Sequence, residues 1–526
     1  MIRLPIRPEP DADVIVAGGG PAGAAAAFHL ARAGQRVLVL DRQRFPRDKV
    51  CGDFVGPAAL VECEALGITT RDGYRESNVI RQAAVHLDGD ELIRRSLPDV
   101  AGLPSYGRVI PRLALDSWLL DAARGAGAMV LDGCRVSGFD VDADGVAVAV
   151  EQGRETRTVR GRLLLGADGS TSTVARVLRG GPPPDATRII AVRAYYEGVS
   201  GLADQADLYF AAESFPGYYW LFPTGRDTAN VGVGMVLETL PRTPDHLREL
   251  LLTLVQEDPA LGARLQGARL VGKVVGWPLS TYDARLPVVG ERVMLVGDAA
   301  GFINPLNGEG IQYALLSGRW AAETAGAALA AGDCSAAHLD AYALRARTEL
   351  RYDMALAGVI VQAIRNRHLT PVWLQALRVI SARASADREY AEICGGILAG
   401  LTPARDALSA KIVGRTIDQA LYSLGLGVVF GAVRGPAHLK AQGMRAASAA
   451  AGMAIDALRD PAALAGWLFE LARHSGELAT QFGSHLLDVA PTQGASTSRL
   501  PVADPVRLQL ALDHVEDDLL HEASIL

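Results

Sequence analysis

The chain has 526 residues, 49% apolar and 21% charged, with a formal net charge of −7. That composition excludes a disordered, fibrous or coiled-coil chain, and its length asks for roughly two or three domains with large cores. The acidic balance offers a nucleic acid no electrostatic attraction, so no nucleic-acid partner is expected.

In chain order, Asp13–Ala17 is a short run of β-branched residues that reads as a buried parallel strand. A glycine turn, Gly18–Gly23, leads into a helix over Ala24–Ala33 that stops at Gly34, and Arg36–Leu40 forms a second buried strand closed by Asp41. From Gln43 the repeat breaks into an irregular stretch with Pro46, Gly52, Gly56 and Pro57. Further strands are predicted at Ala83–Leu87, Val146–Val150, Leu163–Leu165, Ile189–Tyr196, Leu208–Phe210, Tyr218–Phe222, Asn230–Val236 and Arg292–Val296. A long helix follows from about Gly308 to Ala330, and beyond about 340 the pattern is helical, with Leu464, Trp467, Leu468, Leu471, Leu478, Phe482, Leu486 and Val489 at helical spacing. The stretch holding Leu424, Leu426, Val428, Val429 and Phe430 is apolar and uncharged. No run approaches the ~20 apolar residues of a spanning helix, and the N-terminus has no signal-peptide core.

Three motifs carry chemistry. Gly18-Gly19-Gly20-Pro21-Ala22-Gly23 fits G-x-G-x-x-G between a strand and a helix, with Asp41 placed for ribose hydroxyls. The glycines let backbone approach a pyrophosphate, and the helix N-terminus meets it with free N–H groups. A second strand runs into Gly166-Ala167-Asp168-Gly169, which on its own reads as a turn. A third ends at Gly297-Asp298, where Asp298 suits ribityl hydroxyls and the amides over Gly308, Gly310 and Ile311 suit negative charge at a flavin N1/C2 carbonyl. The five cysteines (Cys51, Cys63, Cys134, Cys334, Cys394) show no CxxC spacing and the ten histidines no metal spacing, so no metal is expected and a reducing, cytoplasmic setting is.

In this order and spacing the three motifs resemble the FAD-containing superfamily of para-hydroxybenzoate hydroxylase. Two more stretches, Pro46-Arg47-Asp48-Lys49-Val50-Cys51-Gly52 and Tyr218-Tyr219-Trp220-Leu221-Phe222-Pro223, are similar to the PR-x-K-x-CG and YxWxFP patterns of the geranylgeranyl reductase family. Asp53 departs from that family, which often has Gly or Glu there. The resemblance implies an α/β FAD-binding domain of Rossmann-like, para-hydroxybenzoate hydroxylase type over 11–85, 108–186 and 286–340. It also implies an inserted, mostly antiparallel β-sheet substrate domain over 86–107 and 187–285, and a C-terminal helical region over 341–490. A linker (491–505) and an acidic tail helix (506–526) would follow. The cofactor residues implied are Gly18, Gly20, Pro21, Ala22, Gly23, Asp41, Arg42, Arg47, Cys51, Gly52, Arg112, Val136, Asp168, Gly169, Gly297, Asp298, Gly308, Gly310 and Ile311.

The family hydrogenates isolated C=C bonds of polyprenyl chains, which implies FAD, with NAD(P)H or a redox partner as electron donor. Cys51 is then the candidate proton donor, and Tyr218, Trp220 and Phe222, on one face of a strand, line an apolar substrate's path. Alone, that aromatic row reads as core packing and Cys51 as a small buried hydrophobe. A flavin monooxygenase, a halogenase and a quinone-linked electron-transfer flavoprotein share the FAD motifs; halogenases carry WxWxIP, from which this chain departs. The helical region reads either as packing on the FAD domain or as a portal with weak, hydrophobic contact to a membrane surface.

Overall fold

A computed structural model describes residues 10–240, 246–398, 406, 409, 411–420, 422–423 and 459–488, with side chains through 480. The predicted 424–430 stretch, Val489, the 491–505 linker and the 506–526 tail lie outside the described residues. Met1–Gln481 form one compact unit; of the second, Phe482–Leu526, only the end of a helix reaching Asp488 is described.

The first unit is built on a sheet whose centre is Ala12–Ala17, hydrogen-bonded in parallel to Val37–Asp41 on one side and to Glu155–Gly166 on the other. Both faces are covered, so the strand is apolar throughout rather than alternating. Val293–Leu295 and Val289–Gly290 extend one edge, and Met129–Asp132 extends the other. Over this sheet the Pro21–Arg32 helix crosses the Ile311–Ala331 helix. Ala24–Ala27 are all buried at the crossing, and a Cβ on Gly318 would lie 2.4 Å from the Ala22 carbonyl oxygen. Small residues let the two helices that rise from the first and third motifs pack backbone to backbone.

The second sheet has seven strands, in the order Arg269–Ser280, Arg188–Glu197, Thr228–Val236, Tyr218–Pro223, Gln205–Phe210, Gln82–Leu87 and Asp90–Ser96. All neighbours are antiparallel except Gln205–Phe210 with Gln82–Leu87. The sheet therefore takes in residues 82–85, which sequence placed in the nucleotide-binding part, because Gln82 pairs with Gln205, far along the chain. Asp90–Ser96 carries too many polar residues to read as a strand from pattern alone, and Arg269–Ser280 is interrupted by Gly272, Gly276 and Pro278. A small third sheet joins Phe54–Val55, Gly107–Val109 and Asn78–Ile80.

Alternation decides which face of the seven-stranded sheet does what. Tyr219, Leu221, Val231 and Val233 pack beneath it against Leu247, Leu251 and Leu261 of the His246–Glu257 and Pro259–Leu265 helices. The opposite face carries Tyr218, Trp220 and Phe222. Beyond it lie the helices Ala336–Ile364, Thr370–Ala386 and Arg388–Leu398. Gly318→Ala is expected to destabilise the fold by about 1–3 kcal/mol through overpacking. Denaturant unfolding beside Gly326→Ala, whose Cβ would meet nothing within 4 Å, checks it.

Candidate functional site

The Gly18 turn must be glycine for two different reasons. Gly18 has φ +108°, and its Cβ would lie 2.3 Å from the Ala167 carbonyl oxygen; a Cβ on Gly23 would lie 1.9 Å from the Gly18 oxygen. Gly20 differs, since its Cβ would meet only the Arg47 guanidinium, at 3.4 Å, and it faces a cavity. Asp41, expected to meet ribose hydroxyls, accepts the N–H groups of Gly19 and Gln43, both at 2.8 Å, and so also fixes the turn.

Facing the turn, Arg47 and Arg112 share the fully buried Asp116. Arg112 binds it through Nε and Nη2 at 2.6 and 2.8 Å, and Arg47 through Nη1 at 2.8 Å. Two guanidiniums on one carboxylate leave a net positive wall beside the helix N-terminus, a setting for a pyrophosphate. Lys49 pairs with Asp298 at 2.8 Å. Burial alone would raise the Asp298 carboxyl, but the Lys49 ammonium, with Arg112 nearby, holds it below the ordinary carboxylate range.

The 45–53 loop lies on the aromatic face of the second sheet. A Cβ on Gly52 would lie 3.0 Å from the Phe222 ring, so glycine permits the contact. Gly232, on the neighbouring strand, leaves room for the indole of Trp220, whose Cζ2 a Cβ there would approach to 2.2 Å. The Trp220 Nε1–H donates to Asn230 Oδ1 at 3.0 Å; Asn230 Nδ2 in turn donates to the Cys51 carbonyl and to Asp53 Oδ2, both at 2.8 Å. Arg193 grips Asp48 of the same loop at 2.6 Å. Burial pushes the Cys51 thiol up, against the pull of the adjacent Arg112 charge, so it stays protonated.

Every residue predicted for the cofactor or substrate lines one cavity of about 1780 Å³, except Gly23 and Gly297. Those two serve packing: Gly297 has φ +56°, and its Cβ would lie 2.8 Å from that of Ala22. Asp168 reaches the cavity, but its carboxylate caps the Thr173–Arg179 helix, accepting from Ser172 and from the Thr173 N–H at 2.6 Å. Glu309 likewise accepts the Gln312 N–H at 3.0 Å, and the Gly308 N–H donates to the Asn304 carbonyl at 2.9 Å, so of the amides predicted for a flavin carbonyl that of Gly308 is engaged within the protein. Sequence reasoning noted Asp53 only as a departure from the family pattern, passed over Tyr195 and Arg193, which bond Asp53 and Asp48, and missed the apolar wall supplied by Leu356, Ile360, Trp373, Leu377 and Ile380. Helical periodicity located those helices but not their partner.

The residues fit FAD: a glycine turn open to the cavity, a helix N-terminus, a cationic wall and a continuous space toward the second sheet. Residues 11–350 match the family model described as FAD binding domain. The chain is 35% identical over 329 residues to a menaquinone reductase of Mycolicibacterium smegmatis, covering 59% of this chain and 76% of that protein. It is 32% identical over 382 residues to a digeranylgeranylglycerophospholipid reductase 1 of Methanopyrus kandleri, covering 68% and 92%. A solved geranylgeranyl bacteriochlorophyll reductase-like protein of Thermoplasma acidophilum shares the fold, with TM-score 0.59 and 24% identity over 77% of this chain and 95% of that one. Fold and site thus define an FAD-dependent oxidoreductase of para-hydroxybenzoate hydroxylase type. Within that class, the chain belongs to the geranylgeranyl reductase family.

Gly20→Leu is expected to fold but to purify without bound flavin, because its side chain would fill the pyrophosphate's approach while meeting no backbone. Flavin absorbance per protein after desalting checks this.

Proposed function

We propose that this protein reduces C=C bonds of a polyprenyl or similar isoprenoid chain. The observation that carries the reading is that the dinucleotide cradle opens, within one cavity, onto an apolar channel floored by Tyr218, Trp220 and Phe222 and walled by the C-terminal helices. Adjacent rings in that row lie 6.0 and 6.1 Å apart, a continuous apolar surface for a chain without hydrogen-bonding groups. The relatives' names, which carry a menaquinone and a digeranylgeranyl lipid, support the same substrate class.

Reduced FAD supplies the hydride, with NAD(P)H or a redox partner supplying its electrons. This chain's residues do the rest. The aromatic row and the helices hold the alkene and exclude water. The cradle residues would hold the cofactor, Asp41 and Asp298 suiting its hydroxyls and Arg47 and Arg112 its charge. Cys51, on the loop between cradle and channel, is the proton donor, its thiol kept neutral by burial. Product mass tests the reading: a gain of two hydrogens is expected, whereas one added oxygen would indicate a monooxygenase and no change an electron-transfer protein. Cys51→Ala is expected to keep FAD and its reduction but slow reoxidation by substrate roughly 100-fold, measured by stopped flow.

Among the described residues, no helix is long and apolar enough to cross a membrane. Leu468 and Phe469 on the last helix are 50% and 68% exposed. They support weak peripheral contact with a membrane surface, driven by apolar burial because the chain is acidic. Flotation with neutral vesicles is expected to show weak binding unchanged by salt; binding lost at high salt would contradict it.

A further inference from the structure

Asp53 is fully buried, lines the cavity and has no part in the scheme above. Its backbone has φ +63°, a left-handed turn that aspartate tolerates better than most residues and that ends the Cys51 loop. One carboxyl oxygen is fully engaged: Oδ2 accepts from the Tyr195 hydroxyl at 2.6 Å and from Asn230 Nδ2 at 2.8 Å. The other, Oδ1, is buried with no partner in the protein. An ionised carboxylate would leave that oxygen's charge buried and unpaired, which is costly; a neutral carboxyl places its proton there, as a donor.

We infer that Asp53 is the proton store of the site, acting through Cys51: the carboxyl returns to the sulfur the proton that the thiol gives to the substrate carbon. Asn230 ties the Cys51 backbone to the Asp53 carboxyl, since one amide nitrogen bonds the Cys51 carbonyl oxygen and Asp53 Oδ2 at once. Their ionisations are coupled, because negative charge on Asp53 raises the thiol. The inference rests on alkene reduction as the reaction. In that reaction the hydride adds to one carbon and the π pair takes the thiol proton at the other, breaking S–H and forming C–H. The thiolate then takes the Asp53 proton, and the carboxylate regains one from solvent. No oxidant or reductant is needed beyond the reduced flavin.

The direction of transfer is favourable. Burial pushes the Asp53 carboxyl up to about 6, against the Tyr195 and Asn230 hydrogen bonds and the Arg193 and Arg112 charges, while the thiol lies above its ordinary value. The groups facing Asp53 are Tyr195 and Arg193 from one strand, Asn230 from the next, Arg112 from its helix and Cys51 from the same loop. As pH rises through about 6 the store empties, so relay-dependent turnover falls on the alkaline side.

Asp53→Asn keeps both hydrogen bonds to Tyr195 and Asn230, suits the left-handed backbone, and carries no transferable proton. In multiple-turnover assays with a polyprenyl alkene, Asp53→Asn is expected to be roughly tenfold or more slower and to lose the alkaline fall, which Asp53→Glu restores. A second readout needs no turnover: the infrared carbonyl band of a protonated carboxylic acid, titrating near 6 in wild type and absent from Asp53→Asn. A third is alkylation of Cys51 by iodoacetamide, followed by peptide mass, which is expected to shift to lower pH in Asp53→Asn as the neighbouring charge is lost. Asp53→Asn turning over at the wild-type rate with the wild-type pH profile, or a wild-type protein lacking the infrared band, overturns the relay alone. Wild-type flavin that no polyprenyl alkene reoxidises overturns the reduction reading, and the relay with it.

Discussion

One buried amide joins the two halves of the site. Asn230 is fully buried, and its side chain spends acceptor and donors on Trp220, the Cys51 carbonyl and Asp53. Those partners come from the second sheet and from the loop that follows the dinucleotide-binding unit, so the amide fixes the distance between the Cys51 loop and the aromatic floor. An apolar residue there would strand the Trp220 N–H and the Cys51 carbonyl, and would leave the Asp53 carboxyl with the Tyr195 hydroxyl alone of its two donors. The pattern Asn230-Val231-Gly232-Val233-Gly234 follows from this. Its even positions lie on the aromatic face of the sheet, where glycine at 232 makes room for the indole, while the valines face the core.

Charge in the site is arranged with the same economy. Asp116 is fully buried and serves two guanidiniums, so removing it would leave two cations with no counter-ion, a change expected to cost more than the pair contributes. The cation surplus left beside the glycine turn matches an anionic cofactor. Toward the second sheet aromatic and aliphatic side chains predominate, with Arg81, Arg95, Asp99, Arg388 and Glu392 also reaching the lining. The cavity thus has a polar end and an apolar end, with Cys51 and Asp53 at the junction.

The dinucleotide half was legible in the sequence because its constraints are local. A parallel strand, a glycine turn and a helix are neighbours in chain and in space; Gly23 answers a backbone contact inside that unit, and Gly20 keeps the turn open to the cavity. Tyr218, Trp220 and Phe222 were legible by alternation. What was not legible depends on distant pairing. Gln82–Leu87 reads as a strand, but only its partner at 205–210 assigns it to the substrate sheet. Asp168 has the right motif, yet its carboxylate caps a helix, which a motif does not reveal. Tyr195 is an ordinary strand tyrosine until the fold sets its hydroxyl against Asp53.

The apolar end of the cavity bears on which double bond of a polyprenyl chain is reduced. Burying each CH₂ contributes about 0.8 kcal/mol whatever its position, so apolar contact holds a chain firmly without choosing its register. Cys51 and the cofactor cradle are fixed in the wall, and the repeating chain slides past them until something stops it. Register must therefore come from the ends of the channel. At the far side the Ala336–Ile364 and Thr370–Ala386 helices close over it with Ile360, Trp373 and Ile380. In the proposed reaction the chemistry belongs to loop and sheet, while the choice of bond is left to the helices. Substrate identity in this fold can thus change by altering those helices, with the polar junction of Cys51, Asp53 and Asn230 left as it is.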